Sequence, residues 1–209
     1  MDLADRIPQI SPLALIGGGV QLGDWCKVDA FAVVGRVPHR GYTARDPGAV
    51  LATRIGPRTA IGCHAVIYAG ATIGSDVLIG DGVKVREGVI VADLVRLHWD
   101  AQVNYDARIG RGTTIGGGCH ITGGMRIGGR CFFGAGVMTA NDPDPTRGYD
   151  AGRLNPPIVG DDVLIGAGAI LLPGCRVGDR ARIGAGALVD GDVPAGAIVA
   201  GMRGRRVAS

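Results

Sequence analysis

Aromatic side chains are scarce in this 209-residue chain: three Phe, four Tyr and two Trp, 4% of the total. Binding surfaces that stack nucleic-acid bases interleave aromatics with basic residues, and no stretch here does so. An excess of one charge is missing too. The 22 Lys and Arg against 19 Asp and Glu leave a formal charge of +3, too small and too dispersed for a nucleic-acid footprint. No run of 18 uncharged apolar residues occurs, so no membrane-spanning helix is expected. The opening MDLADRIPQI is acidic at once and has no apolar core, so it does not read as a secretory leader. Five cysteines, an odd number without paired spacing, read as free thiols of a reducing cytoplasm. The four His, at 39, 64, 98 and 120, do not group into the three or four ligands that zinc needs, and no metal is expected.

Glycine, by contrast, is abundant, with 38 residues. Its spacing is six rather than the three of collagen. Ile55, Ile61, Ile67, Ile73, Ile79, Val85, Val91, Leu97, Val103, Ile109, Ile115, Ile121 and Ile127 recur every six residues, and the phase continues through Phe133 and Thr139. Gly follows many of them, as at Gly56, Gly62, Gly74, Gly80, Gly110, Gly116, Gly128 and Gly134. Four positions after each aliphatic the residue is small, with Met125 the one bulky exception. Neither a helix nor a simple alternating strand repeats at six; a parallel β-helix of hexapeptide repeats does. The predicted fold is therefore all-β, one solenoid domain over 1–209. Cys26, Cys119, Cys131 and Cys175 fall on the small inward position and read as core filler; Cys63 falls on a corner.

Two excursions interrupt the repeat, at 37–54 and 141–158. The repeat resumes out of phase at Val159, and a basic tail, 202–209, follows. Long loops on a rigid scaffold are usually functional. Three hexads make one triangular coil of 18 residues, so residues 18 apart stack in columns. One corner reads Arg86-Glu87-Gly88, Asn104-Tyr105-Asp106, Thr122-Gly123-Gly124, Ala140-Asn141-Asp142, and the second excursion leaves from it. A second corner includes His64 and His98-Trp99, and the face between these corners carries Val66, Lys84, Gln102, His120 and Met138. The third corner, from Gly74-Ser75-Asp76 to Gly128-Gly129-Arg130, reads as bland. Glu87, Tyr105 and Asn141 converge in one column, with Asp142 at the loop exit. Arg86 has three readings: pairing with Glu87, pairing with Asp106, or binding phosphate. A purely structural solenoid would need no such loops, and an ice-binding face needs a Thr ladder where only Thr72 and Thr114 face outward.

The repeats, and above all VGDDVLIGAGAILLPGCRVGDRARIGAGALVDGDVPAGAIVAG, resemble the hexapeptide-repeat acyltransferases over nearly the whole chain, Ile16 to Gly201. The resemblance implies a left-handed parallel β-helix, a homotrimer, and transfer of an acyl group, most often acetyl, from coenzyme A. VGRVPHRG and VMTANDPDPTR look most like the nucleotide-linked amino-sugar N-acyltransferases. The usual general base of the family is a His followed by Asp. In VNYDARIG that phase holds Tyr105, with Asp106 after it.

A sugar hydroxyl needs a base to attack a thioester, whereas a sugar amine is already nucleophilic near neutrality. The resemblance therefore implies an amine acceptor on a nucleotide-linked deoxyamino sugar. Asn141 would be the main catalytic residue, with His120 and Tyr105 beside it and Arg86, Glu87, Asp106 and Asp142 holding the acceptor. O-acetylation of a sugar or antibiotic hydroxyl, with His120 or His98 as base, is the alternative. Ala167, Gly168, Ala185 and Gly186 match the positions where relatives lay the pantetheine arm of acetyl-coenzyme A. Arg203, Arg205 and Arg206 would bind its phosphates.

Overall fold

The computed structural model describes residues 7–39, 52–148 and 150–200. Most hexads form a two-residue strand and a corner. Ala60–Ile61 is one such strand, Leu78–Ile79 the same strand a coil later. Along the chain these strands fall in turn on three parallel sheets, of ten, nine and eight strands among the described residues. The register is the 18-residue column: Leu78 pairs with Arg96, Lys84 with Gln102 and Ile90 with Arg108. The ten-, nine- and eight-stranded sheets are called here the first, second and third faces.

Both periodic positions point inward. Ile79, Val83, Val85, Val89 and Val95 are each 0% exposed, and Met125 is buried as well. Each such aliphatic contributes about 1.5–3 kcal/mol on burial, which holds a stack of two-residue strands together. Glycine serves the corners in two ways. A Cβ at Gly110 would lie 2.4 Å from the backbone carbon of Gly128 on the next coil, so coil-to-coil approach excludes it. Two positions on, the corner needs a left-handed backbone: Gly112 has φ +70°, and His64, Asp100 and Asp106 adopt it without being glycine.

The excursions are slightly shorter than the repeat suggests, because the ladder is re-entered at Thr53–Ile55 and Ile158–Val159. Val33 pairs with Val66 and Met138 with Ile170 across them. Both leave from one corner, between the second and third faces. The first follows the strand Val33–Arg36 and the second the strand Met138–Thr139. The second carries two 3₁₀ turns, Pro145–Arg147 and Ala151–Arg153. It is closed at its base by the Asn155 amide donating to the Asn141 carbonyl at 2.7 Å.

The corner between the third and first faces is not bland. Arg58 pairs with Asp76 at 2.6 Å, Arg111 with Asp93 at 3.1 Å and Arg130 with Asp162 at 2.6 Å. Each pair joins successive coils. The hydrogen bonds from Arg58 and Arg130 hold the Asp76 and Asp162 carboxyls below their ordinary range. This contribution is present above that range and lost as pH falls through the lowered value.

The four inward cysteines are core, as their phase predicts: Cys26 and Cys119 are 0% exposed, Cys131 and Cys175 2%. The Cys119 thiol donates to the Gly134 carbonyl at 3.0 Å and Cys131 to that of Gly160 at 3.0 Å. Burial raises all four thiols, Cys175 to about 11 with help from Asp192. They are therefore protonated near neutrality and poor nucleophiles. Cys119→Ala should cost about 1 kcal/mol in denaturant titration and leave turnover per folded molecule unchanged. Loss of turnover in a folded Cys119→Ala protein would overturn the core reading.

Candidate active site

The corner that emits both excursions is a continuous polar column. Stacked strands are about 4.8 Å apart, so the five coil steps from Arg36 through Tyr68, Arg86, Asn104 and Thr122 to Ala140 span roughly 24 Å. Glu87 is 2% exposed, and Arg86 clasps it with two hydrogen bonds, 2.8 Å and 3.1 Å. The Arg86 guanidinium also lies 5.5 Å from the Tyr105 ring centroid and 5.9 Å from that of Tyr68. The geometry shows Arg86 paired with Glu87.

Tyr105 lies over Gly123, where a Cβ would come within 2.5 Å of its ring. On the far side of Gly123, the Asn141 side-chain amide donates to the Gly123 carbonyl at 3.0 Å. Gly123 is thus the floor between the two side chains. The bond fixes the Asn141 amide plane and leaves Oδ1 as the acceptor of that side chain. Asp142 turns its carboxylate back onto the Asp144 amide at 2.9 Å, shaping the start of the loop. Asp106 is exposed with left-handed backbone, φ 56°.

His120 sits one coil on, on the adjoining second face. Its Nδ1 lies 3.2 Å from the Thr139 carbonyl and its Nε2 2.9 Å from the Asn104 side-chain nitrogen. A carbonyl only accepts and an amide nitrogen only donates. With Nδ1 donating to that carbonyl, Nε2 is left to accept from the Asn104 amide. His98 stands edge-on to Trp99, and His64 stacks on Phe31, both on the corner between the first and second faces.

Glu87, Tyr105 and Asn141 thus share one column, with Arg86 beside it on the same corner and His120 tied to that corner through Asn104. Ala167, Gly168, Ala185 and Gly186 lie elsewhere, exposed on the corner between the first and second faces; the Gly168 amide donates to Ala135 and the Gly186 amide to Ala167. Arg203 and Arg206 fall outside the described residues. Sequence reasoning missed Tyr68, Asn104 and Thr139 as parts of the site. Tyr68, Arg86 and Asn104 stand 18 apart, so the column rule could have found Tyr68. Among the described residues, no three His, Cys, Asp or Glu gather as for a metal ion, and no helix is long and apolar enough to cross a membrane.

The fold and corner column define a hexapeptide-repeat solenoid with a loop-flanked polar edge. Residues 52–87 and 156–191 match the family model described as bacterial transferase hexapeptide (six repeats). Those two segments are hexapeptide repeats of that kind. In structure it is similar to the UDP-N-acetylglucosamine acyltransferase from Campylobacter jejuni, at TM-score 0.75 and 21% identity, with 93% of this chain and 72% of that one covered. It is also similar to the Arabidopsis UDP-N-acetylglucosamine acyltransferase, at TM-score 0.54 and 20% identity, covering 93% of this chain and 69% of that one. At these identities the likeness is one of fold. No curated protein matches in sequence.

Proposed function

We propose that this protein is an acyltransferase that moves an acetyl group from acetyl-coenzyme A to the amine of a nucleotide-linked deoxyamino sugar. The family and the acyltransferase folds it resembles support acyl transfer in general. The amine acceptor rests on one observation: Asn141 is anchored at the loop exit by its bond to Gly123, while Tyr105 occupies the position where relatives carry a basic His. Asn141 Oδ1 would accept an N–H of the amine and turn its lone pair towards the thioester carbonyl. Nitrogen then attacks that carbon, the tetrahedral intermediate collapses, and the thiolate leaves. The amine proton goes to solvent or to the departing sulfur.

A hydroxyl acceptor is the second reading, and one feature favours it. The Thr139 carbonyl orients His120 with Nε2 as the basic nitrogen, as a general base requires. That nitrogen is engaged by Asn104, so the base would act only after the amide gives way. The direct test is a panel of nucleotide amino sugars and their hydroxyl counterparts, incubated with acetyl-coenzyme A and read by mass spectrometry. Acetylation of the hydroxyl compounds alone would overturn the amine reading.

We place the working site between neighbouring copies of a homotrimer. Support comes from the position of the small-residue corner bearing Ala167, Gly168, Ala185 and Gly186, a full face away from Asn141. A donor on that corner would meet the column more readily across a subunit boundary. The expected result is a trimer by light scattering; an active monomer would overturn this arrangement. Five free cysteines support work in a reducing compartment such as the cytoplasm.

A further inference from the structure

The geometry points to a phosphate subsite at the exit of the first excursion. A cavity of about 300 Å³ is lined there by Arg36, Pro38, His39, Tyr68 and Arg86. Backbone register sets Arg36 beside Tyr68 on the preceding coil, and Arg86 follows Tyr68 by 18 residues, on the succeeding one. Both guanidiniums sit against the same ring, Arg36 at 5.5 Å from its centroid and Arg86 at 5.9 Å. With Arg86 also 5.5 Å from Tyr105, cation and ring alternate along the corner: Arg36, Tyr68, Arg86, Tyr105.

Two cations about one ring need a reason, because like charges repel and one ring does not neutralise two. The buried carboxylate of Glu87 matches Arg86. Arg36 is exposed, and none of the ion pairs seen among the described residues includes it. Among the described residues the lining therefore carries one net positive charge beyond its internal pair, with the His39 ring alongside. A guanidinium laid on an aromatic ring keeps its in-plane N–H fork for a partner, and that fork matches phosphate bidentately. The volume exceeds one phosphate: it is about ten times the ~30 Å³ share of a liquid water. Tyr68 and Pro38 add apolar wall, which suits a phosphate linked to a sugar or another phosphoryl group rather than a free small ion.

We propose that this cavity binds the diphosphate of the acceptor, which rests on the acceptor reading given above. The acceptor is favoured over the donor by position. The cavity shares its corner with Asn141: its near wall, Arg86, is three coils or roughly 14 Å away and its far wall, Arg36, five coils or roughly 24 Å, at ~4.8 Å per coil. The small-residue corner suited to the donor is on a different edge, towards the C-terminal end.

The test is calorimetric titration of the full-length protein, with no acyl donor present, using inorganic pyrophosphate, uridine 5′-diphosphate and adenosine 3′,5′-bisphosphate as probes. Pyrophosphate and the uridine diphosphate should bind, with affinity falling as salt rises. Arg36→Gln, an exposed change that leaves the core untouched, should weaken both about 10-fold or more, and Arg36→Lys, which keeps charge without the stacked fork, by less. Equal binding by wild type and Arg36→Gln, or no binding of either diphosphate by wild type, would overturn the subsite. If only the adenosine bisphosphate depends on Arg36, the phosphate held there is the donor's and the acceptor assignment falls. Because no acyl group is present, a failed acyl-transfer reading would show in the acetylation panel and leave this titration interpretable.

Discussion

Asn141→Ala should lower kcat about 100-fold, the loss typical of removing one group that stabilises the transition state, with little change in the melting curve. The side chain makes one hydrogen bond to the body, to the carbonyl of the buried Gly123, and because Asn141 itself is only half-buried water can take its place there. The fold therefore tolerates the truncation. The chemistry would not, if Asn141 aligns the attacking amine, because alignment of reacting atoms is a large share of the barrier reduction available to such an enzyme. His120→Asn should cost less, and the pH–rate profile should follow deprotonation of the substrate amine. Abolished turnover in His120→Asn with near-normal turnover in Asn141→Ala would make the hydroxyl reading the better one. Gly123→Ala offers an independent check on the same geometry. Its methyl would meet the Tyr105 ring at 2.5 Å, forcing that ring off the floor of the site while the coil-to-coil ladder stays intact.

The fold is legible in the sequence because a six-residue period admits one common architecture, and the 18-residue coil then converts sequence spacing into spatial columns. The inward cysteines, the shared column of Glu87, Tyr105 and Asn141, and the face carrying His120 all follow from that conversion. The period does not give the hand of the helix, since a three-sided coil of either hand has the same columns. The bond between Asn104 and His120 is also illegible, because the two residues lie 16 apart and meet only through side chains reaching diagonally across a coil boundary. The stacking of Arg86 on two tyrosines depends likewise on rotamers rather than on register. The ion pairs of the third corner are a different kind of miss. Arg58 and Asp76, and Asp93 and Arg111, are each 18 apart, so pairing opposite charges down each column would have found them. Arg130 and Asp162 are 32 apart across the second excursion, which hid that pair. The excursions themselves were visible as breaks, but their shared corner emerges only once Arg36 is seen to pair with Tyr68.

Arg86→Met should destabilise the protein by about 3 kcal/mol, the low end for breaking a buried ion pair by removing one partner. The low end applies because the Arg86 side chain is 23% exposed, whereas that of Glu87 is 2% exposed. The asymmetry is what makes the prediction specific. Without Arg86 the Glu87 carboxylate is left charged in a site closed to water, whereas Glu87→Gln leaves a guanidinium that water can partly hydrate and should cost only about 1 kcal/mol. The double change Arg86→Met with Glu87→Gln should recover much of the loss, giving a favourable coupling in a double-mutant cycle. Solenoids open locally, coil by coil, so hydrogen exchange at the amides of Val103 and Ile121 is a sharper readout than a global melt. Equal losses for the two single variants, with no recovery in the double, would mean that Glu87 and Arg86 are solvated independently and that the column is not held together by their pairing.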